Sequence, residues 1–149
     1  MPTCSVGVML TSVEGWAVDT SVAVAALDRG HAAHAPCATA VRSIRPALAG
    51  HAAWETFSVL TRMPGQLAVD APTAADVIER TFPKVCWLAP DAALVLFARL
   101  GTIGLTGGAV YDALVGEAAR SNGCRLLTRD LRARRTYELL GVVHEFIDA

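Results

Sequence analysis

Short apolar runs rich in β-branched residues alternate along this chain with longer, alanine-rich stretches. A strand that rejoins the same sheet in parallel needs a long crossover connection, normally a helix, so this alternation is typical of a parallel sheet covered by helices. Strands are predicted at residues 15–18, 47–49, 84–88, 124–128 and 142–147. The predicted fold class is therefore α/β, a three-layer α/β/α sandwich around a mostly parallel central sheet of four to five strands.

Helices are predicted where apolar residues recur at helical spacing between recognisable start and stop signals. Thr20 or Ser21 is expected to cap the first helix, and Thr73 lies in the predicted start of another. A glycine cluster that begins at Gly101 is expected to separate two later helices. The predicted helical segments are 20–27, 31–44, 52–62, 73–82, 90–100, 109–120 and 131–140.

The length of 149 residues suits one domain. We expect residues 1–14 to form an N-terminal extension or edge segment and residues 15–149 to form a single domain. The first residues lack the basic start and strong apolar centre of a secretory signal. No apolar run reaches the roughly 18 residues that a membrane-spanning helix requires. We therefore expect a cytoplasmic protein without a membrane partner.

Charge and cysteine content exclude two broad classes of protein. The formal net charge of -1 argues against a protein that coats nucleic acid indiscriminately. The four cysteines form no C-x-x-C pair, so neither a zinc knuckle nor a redox motif is indicated, and we expect free thiols. Lys84 is the only lysine among thirteen basic residues. Arginine forks suit phosphate groups, although a G+C-rich genome also explains this ratio.

Two acidic residues follow predicted strands directly. Asp19 comes after the first strand, and Asp130 comes shortly after the strand at 124–128. In open parallel sheets, ligands bind outside the carboxyl ends of the strands, so these two carboxylates are candidate site residues. Asp130 also has a simpler interpretation as the cap of the helix that follows it. Asp19 is explained less well by capping, because Thr20 and Ser21 are adjacent.

Two further acidic residues interrupt helical stretches that are otherwise apolar, namely Glu55 and Asp112. A lone carboxylate is costly to bury, so each must be exposed, paired or functional. Four carboxylates around one pocket would repel one another unless a cation were bound. Oxygen ligands without histidine or thiolate favour Mg²⁺ or Mn²⁺ over Zn²⁺, and such a site suits phosphodiester hydrolysis. The competing interpretation is four unrelated, solvated side chains.

Four short runs in this order resemble the acidic motifs of PIN-domain ribonucleases, and more narrowly the VapC toxins of bacterial VapBC pairs. The runs are VDTS (18–21), WETFSVL (54–60), YDAL (111–114) and LLTRD (126–130). Each run alone is weak evidence, but the ordered set is specific and spans about residues 15–147. The stretch before Gly15 is longer than the usual start of a PIN domain.

The resemblance implies a PIN-like sandwich in which Asp19, Glu55, Asp112 and Asp130 hold one or two Mg²⁺ or Mn²⁺ ions. It assigns possible supporting roles to three polar residues, Thr20, Ser21 and Thr128. It also implies an endoribonuclease toxin that cuts structured transfer or ribosomal RNA, forms a homodimer and is controlled by a VapB-type antitoxin.

Several arginines next to the last acidic motif are candidates for contacts to the RNA backbone. They are Arg129, Arg132, Arg134 and Arg135. A solvated basic helix face explains them equally well. His31 and His34 have H-x-x-H spacing, but no acid or cysteine nearby completes a metal set, so we expect surface or packing roles.

Two other function classes stay open on the sequence. The chain could be an inactive PIN-like module that binds RNA or protein, although intact carboxylates at all four positions speak against this. It could instead be an aspartate-based phosphotransfer enzyme or hydrolase with Asp19 as the reactive residue. The dehalogenase pattern needs an acid where Ser21 stands, and receiver chemistry needs a late lysine, whereas the only lysine is Lys84.

Overall fold

The computed structural model describes residues 15–65 and 68–148. The predicted N-terminal extension, residues 1–14, lies outside the described residues. The described residues form five strands: β1 (Gly15–Val18), β2 (Ala47–Ala49), β3 (Val85–Cys86), β4 (Cys124–Thr128) and β5 (His144–Phe146). They also form seven helices: α1 (Thr20–Leu27), α2 (His34–Ile44), α3 (Ala52–Thr61), α4 (Ala71–Thr81), α5 (Pro90–Ile103), α6 (Ala109–Ser121) and α7 (Arg134–Leu140).

The strands form one sheet in the order β3-β2-β1-β4-β5, and each neighbouring pair is parallel. β1 lies at the centre, where Val18 pairs with Leu48 on one side and with Leu127 on the other. All three side chains are at most 3% exposed. A strand buried in this way is apolar along its length, which is why the central strands have short continuous apolar sequences. The predicted α/β sandwich is confirmed.

The core lies between the sheet and the helices that cover it. Val22 on α1, Phe82 after α4 and Tyr137 on α7 are all at most 1% exposed and belong to one connected apolar cluster. Small residues let helices approach closely, as at Gly116 on α6. A Cβ atom added there would lie 2.9 Å from the Tyr137 ring and 3.1 Å from Val142.

Two predicted helix caps differ from the structure. Asp19, and not Thr20 or Ser21, is the N-cap of α1, because its side chain accepts a hydrogen bond from the Val22 amide at 3.3 Å. The expectation that capping explains Asp19 poorly was therefore wrong. Asp70 caps α4 by accepting from the Thr73 amide at 2.9 Å, so that helix begins at Ala71.

Other boundaries moved by one turn or less. Gly101 lies inside α5, which ends only where Gly104 adopts a left-handed φ of 72°, so the glycine cluster interrupts the chain later than predicted. α7 begins at Arg134 instead of residue 131, and α2 begins at His34 instead of residue 31. β3 and β5 are shorter than their apolar sequences suggest. Among the described residues, no helix is long and apolar enough to span a membrane.

Candidate active site

The carboxyl ends of β1 and β4 bring two of the predicted acids to the same edge of the sheet. The backbone amide of Asp19 donates to the Leu127 carbonyl at 3.2 Å, so the chain leaves both strands at one level. Asp19 follows β1 directly, and Asp130 follows β4 by two residues. Parallel pairing of neighbouring strands therefore places two carboxylates close together, although more than one hundred residues separate them.

Two helices supply the other acids to this edge. Glu55 lies in the first turn of α3, and Asp112 lies in the first turn of α6. The N-terminal end of a helix favours negative charge, because its unpaired amides and its dipole are positive there. All four predicted carboxylates line one cavity of about 60 Å³, together with Thr20, Ser21, Val115 and Tyr137.

Asp19 is the most deeply buried of the four acids, with 4% of its surface exposed. Its carboxylate accepts hydrogen bonds from the Ser21 hydroxyl, from the Val22 amide and from the Tyr137 hydroxyl, the last at 3.0 Å. Burial raises the pKa of Asp19, although these hydrogen bonds act in the opposite direction. The side chain is thus held in one orientation at the base of the cavity.

The other carboxylates repel one another. Burial, followed by the charges of Asp130, Glu55 and Asp19 in that order, raises the pKa of Asp112 to about 6. Burial likewise raises the pKa of Glu55, helped by the charge of Asp19 and opposed by Arg62. Raised pKa values that come from burial and from neighbouring negative charges mean that the ionised carboxylates have too little positive charge nearby.

The residues present fit a hard divalent cation. The acids offer only oxygen, and the Thr20 Oγ1 beside them is buried without a hydrogen-bond partner among the described residues. No group of three or more His, Cys, Asp or Glu side chains in that part of the chain stands close enough to ligate one ion directly. Mg²⁺ normally retains several waters, which can bridge from the ion to carboxylates that do not contact it directly.

The supporting polar residues link the two halves of the site. The Ser21 hydroxyl donates to Asp19 and accepts from the Arg129 amide at 2.8 Å. The Thr128 hydroxyl accepts from the Asp130 amide at 3.0 Å. Asp130 itself accepts from the Arg132 amide at 2.9 Å, which is a turn rather than the helix cap that the sequence left open. These bonds fix the backbone that carries Asp130 relative to Asp19.

Comparison with known proteins agrees with this geometry. A family model described as the PIN domain matches residues 17–139. The chain belongs to the PIN-domain family. Its curated relatives include Ribonuclease VapC27 of Mycobacterium tuberculosis, 44% identical over 126 residues that cover 85% of this chain and 92% of that protein. Ribonuclease VapC40 of the same species is 44% identical over 135 residues, covering 88% of this chain and 98% of that one. This PIN domain is thus of the VapC type.

A solved structure shares the PIN fold. It is the crystal structure of VapBC2 from Rickettsia felis bound to a DNA fragment from their promoter. The TM-score is 0.65 with 13% sequence identity, and the match covers 91% of this chain and all of the other. At that identity the likeness shows the fold alone.

The predicted RNA-binding arginines of this PIN domain differ in their surroundings. Arg129 already makes contacts within the protein. Its guanidinium donates to the Ile147 carbonyl at 2.6 Å and lies 6.0 Å from the centre of the Phe146 ring. Arg134 pairs with Glu138 on the exposed face of α7 at 3.3 Å. The other two, Arg132 and Arg135, are exposed. Arg129 and Arg132 line a cleft beside the acids.

Tyr137 is the site residue that the sequence analysis missed. It is 1% exposed, and its hydroxyl reaches a carboxylate 118 residues away in the chain. A buried tyrosine hydroxyl normally has a hydrogen-bond partner, so its place on the inner face of α7 was a signal that some polar group lay opposite. Nothing in the sequence identified that group as Asp19.

Several minor predictions are also resolved. We expected the four cysteines to be buried free thiols: Cys37 and Cys86 are, Cys124 is free but only partly buried, and Cys4 lies outside the described residues. The His34 ring contacts the Ala25 carbonyl at 2.9 Å, in keeping with a packing role. Lys84 precedes β3, whereas Asp19 follows β1, so the two residues lie toward opposite ends of the parallel strands. Lys84 is therefore not placed to act with Asp19 in receiver-type chemistry.

Proposed function

We propose that this PIN domain is an endoribonuclease toxin of a type II toxin-antitoxin pair, which hydrolyses phosphodiester bonds in structured transfer or ribosomal RNA with Mg²⁺ or Mn²⁺. The observation that carries the proposal is the convergence of four carboxylates, from β1, α3, α6 and the segment after β4, on one small cavity. The ribonuclease names of its relatives, at 44% identity over most of their length, support RNA as the substrate.

Each residue of the cavity has a defined part in this proposal. When bound, the divalent cation would polarise the phosphate and lower the pKa of an attacking water. Asp19, Glu55, Asp112 and Asp130 would hold that cation. Ser21 and Tyr137 orient the Asp19 carboxylate by hydrogen bonding, which reduces the reorganisation needed when substrate enters. Thr128 positions Asp130 through its backbone amide.

The surroundings of the cavity suit a polyanionic substrate. Arg129 and Arg132 line a cleft of about 510 Å³ on one side, which also includes Thr20, Ser21 and Asp130. Arginine and hydroxyl groups are the usual partners of RNA phosphates. We assign the backbone of the RNA next to the cleaved bond to this cleft.

Partners and location follow from the VapC relationship and are part of the proposal. We propose a VapB-type antitoxin that occludes the acidic cavity, a homodimeric toxin and a cytoplasmic location. Exposed apolar side chains on α5 support an association surface, since Leu94, Val95 and Phe97 are 73%, 59% and 78% exposed.

The direct test is cleavage of purified transfer and ribosomal RNA with Mg²⁺ or Mn²⁺. We expect cleavage with either ion, none in EDTA, and none with Asp19→Asn or Asp112→Asn. Asp91→Asn, an exposed acid in the first turn of α5, is the matched control and should cut as the wild type does. Full activity in EDTA or in Asp112→Asn would end the proposal.

The toxin role has a separate test in cells. Expression should arrest growth, and co-expression of a small gene encoded immediately upstream should restore it. Expression of Asp112→Asn should leave growth unaffected. If the wild type is harmless when it is made in quantity, the toxin assignment fails while the nuclease assignment stands on the cleavage assay.

A further inference from the structure

A second cleft adjoins the acidic cavity and shares Val59 with the cleft that Arg129 and Arg132 line. This second cleft measures about 450 Å³ and is lined by His51, Glu55, Ser58, Val59, Arg62 and Tyr111. We call it the Tyr111 cleft. Glu55 lines both the Tyr111 cleft and the acidic cavity, so a group bound in one lies beside the other. Its volume falls in the range of small-ligand pockets, and its walls combine two aromatic rings, one arginine, one carboxylate, one hydroxyl and one apolar side chain.

The Tyr111 ring is presented as a supported platform. It stacks on the His51 ring with centroids 5.4 Å apart and an angle of 17° between the planes. His51 precedes α3 and Tyr111 lies in the first turn of α6, so the pair joins the two helices that supply Glu55 and Asp112. Tyr111 is nevertheless 53% exposed. A large aromatic surface is thus supported by the His51 ring and left open to solvent.

The charged groups around the Tyr111 ring suit the base of a nucleotide. Arg62, at the end of α3, is exposed and close enough to Glu55 to lower the pKa of that carboxyl. Arginine planes stack on bases and donate to their edges, and bases of every type stack on tyrosine. The cleft assigned to the backbone has two arginines and no tyrosine, whereas the Tyr111 cleft has one arginine beside an exposed tyrosine ring. The cleft therefore suits a base better than the sugar-phosphate backbone.

We propose that the Tyr111 cleft is a nucleobase subsite, in which a base adjacent to the cleaved phosphate stacks on Tyr111 and contacts Arg62. The proposal rests on the nuclease function proposed above and specifies where the RNA lies. The cleft of Arg129 and Arg132 receives the backbone, and the adjoining Tyr111 cleft receives an unstacked base. Recognition of this kind selects single-stranded loops, since bases in a helix are not free to enter.

Abasic substitution tests the subsite. A fluorescein-labelled single-stranded RNA, taken from around a mapped cleavage site, is prepared with one abasic ribose at each of three positions on either side of the cut. Stacking of one base contributes about 1–3 kcal/mol, so loss of the right base should lower kcat/KM of the wild type about 5- to 150-fold. In Tyr111→Ala the same abasic position should have no effect, whereas Tyr111→Phe, which keeps the ring, should behave as the wild type.

A binding measurement separates the failure of the subsite from the failure of the nuclease. The Kd of the same RNA set is measured in EDTA by fluorescence anisotropy, where cleavage is not required. Trp54→Ala is the control, because it removes another exposed aromatic side chain, on α3, that does not line the Tyr111 cleft. This variant should keep the abasic penalty. If no abasic position weakens binding to the wild type, or if Tyr111→Ala keeps the full penalty, the subsite is wrong. If no cleavage site can be mapped, a single-stranded RNA with the sequence of a transfer-RNA anticodon loop carries the abasic series instead, and binding with the expected penalty then means that only the nuclease function is wrong.

Discussion

Replacing Tyr137 with phenylalanine removes one hydroxyl from the interior of the site and keeps the ring that fills the space beside Gly116. The lost group donates to the Asp19 carboxylate at 3.0 Å, and both residues are at most 4% exposed. Asp19 keeps its bonds from Ser21 and the Val22 amide but loses the donor on its second oxygen. The substitution therefore tests one contact without opening a cavity.

The expected loss is set by the charge of the acceptor. A hydrogen bond to an ionised group contributes about 1.5–3 kcal/mol, against about 0.5–1.5 kcal/mol for a neutral pair. At pH 7.5 we therefore expect the free energy of unfolding of Tyr137→Phe to be about 1.5–3 kcal/mol lower than that of the wild type, which lowers the urea midpoint by about 1 M. Because Asp19 is then less well oriented, kcat/KM on RNA should fall by about tenfold or more, a loss of about 1.4 kcal/mol in transition-state stabilisation.

Urea denaturation followed by intrinsic fluorescence, with RNA cleavage on the same preparations, gives both numbers. Tyr111→Phe, at the other tyrosine of the chain, is the stability control and should shift the unfolding free energy by less than about 0.5 kcal/mol, because its side chain is half exposed. If Tyr137→Phe matches the wild type in both the urea midpoint and kcat/KM, its hydroxyl does not hold Asp19.

Three further outcomes follow from packing and charge. Gly116→Ala should lower the free energy of unfolding in urea by about 1–3 kcal/mol, because its Cβ would lie 2.9 Å from the Tyr137 ring. Gly101→Ala, with open space around it, should raise that free energy by about 0.5–1 kcal/mol. Equal effects of the two substitutions would contradict the packing at Gly116. Thr56→Val should raise the free energy of unfolding by about 1 kcal/mol, since within residues 15–65 and 68–148 its fully buried hydroxyl has no hydrogen-bond partner. Thr61→Val is the control and should not raise it, because the Thr61 hydroxyl donates to the Phe57 carbonyl. In EDTA, the raised pKa of Asp112 means that the folded protein binds its proton more tightly than the unfolded chain does. The contribution of Asp112 to the Tm, measured as the difference between the wild type and Asp112→Asn, should therefore be fully present below about pH 4 and be lost as pH rises through about 6. A difference that stays constant or changes in the opposite direction over this range would refute the raised pKa.

The fold was predictable because its signals are local. Each central strand is a short apolar run, and each helix shows apolar residues at helical spacing, so β1, β2 and β4 were placed with their observed bounds. The caps were less predictable. Asp19, Thr20 and Ser21 are all good cap residues in sequence, and only the emergence of the chain from β1 decides that Asp19 is the one that caps.

The four acids were predictable as a set, but their support was not. Asp19 and Asp130 were identified by their places after strands, and Glu55 and Asp112 by their places in apolar helices. The contacts that orient them depend on which distant elements become neighbours. Tyr137, His51 and Arg62 fall in this group, because each gains its role from a partner that the chain order does not reveal.

The central position of β1 decides when the site can exist. Its partner β4 is made more than one hundred residues later, and the bonds from the Arg129 amide to Ser21 and from Tyr137 to Asp19 join residues 108 and 118 positions apart. Contacts this distant form late in folding. A nascent chain that has emerged only as far as α6 holds three of the acids but lacks Asp130, the Arg129 amide and Tyr137, which complete their arrangement. The acidic cavity is therefore complete only after β4 and α7 have emerged.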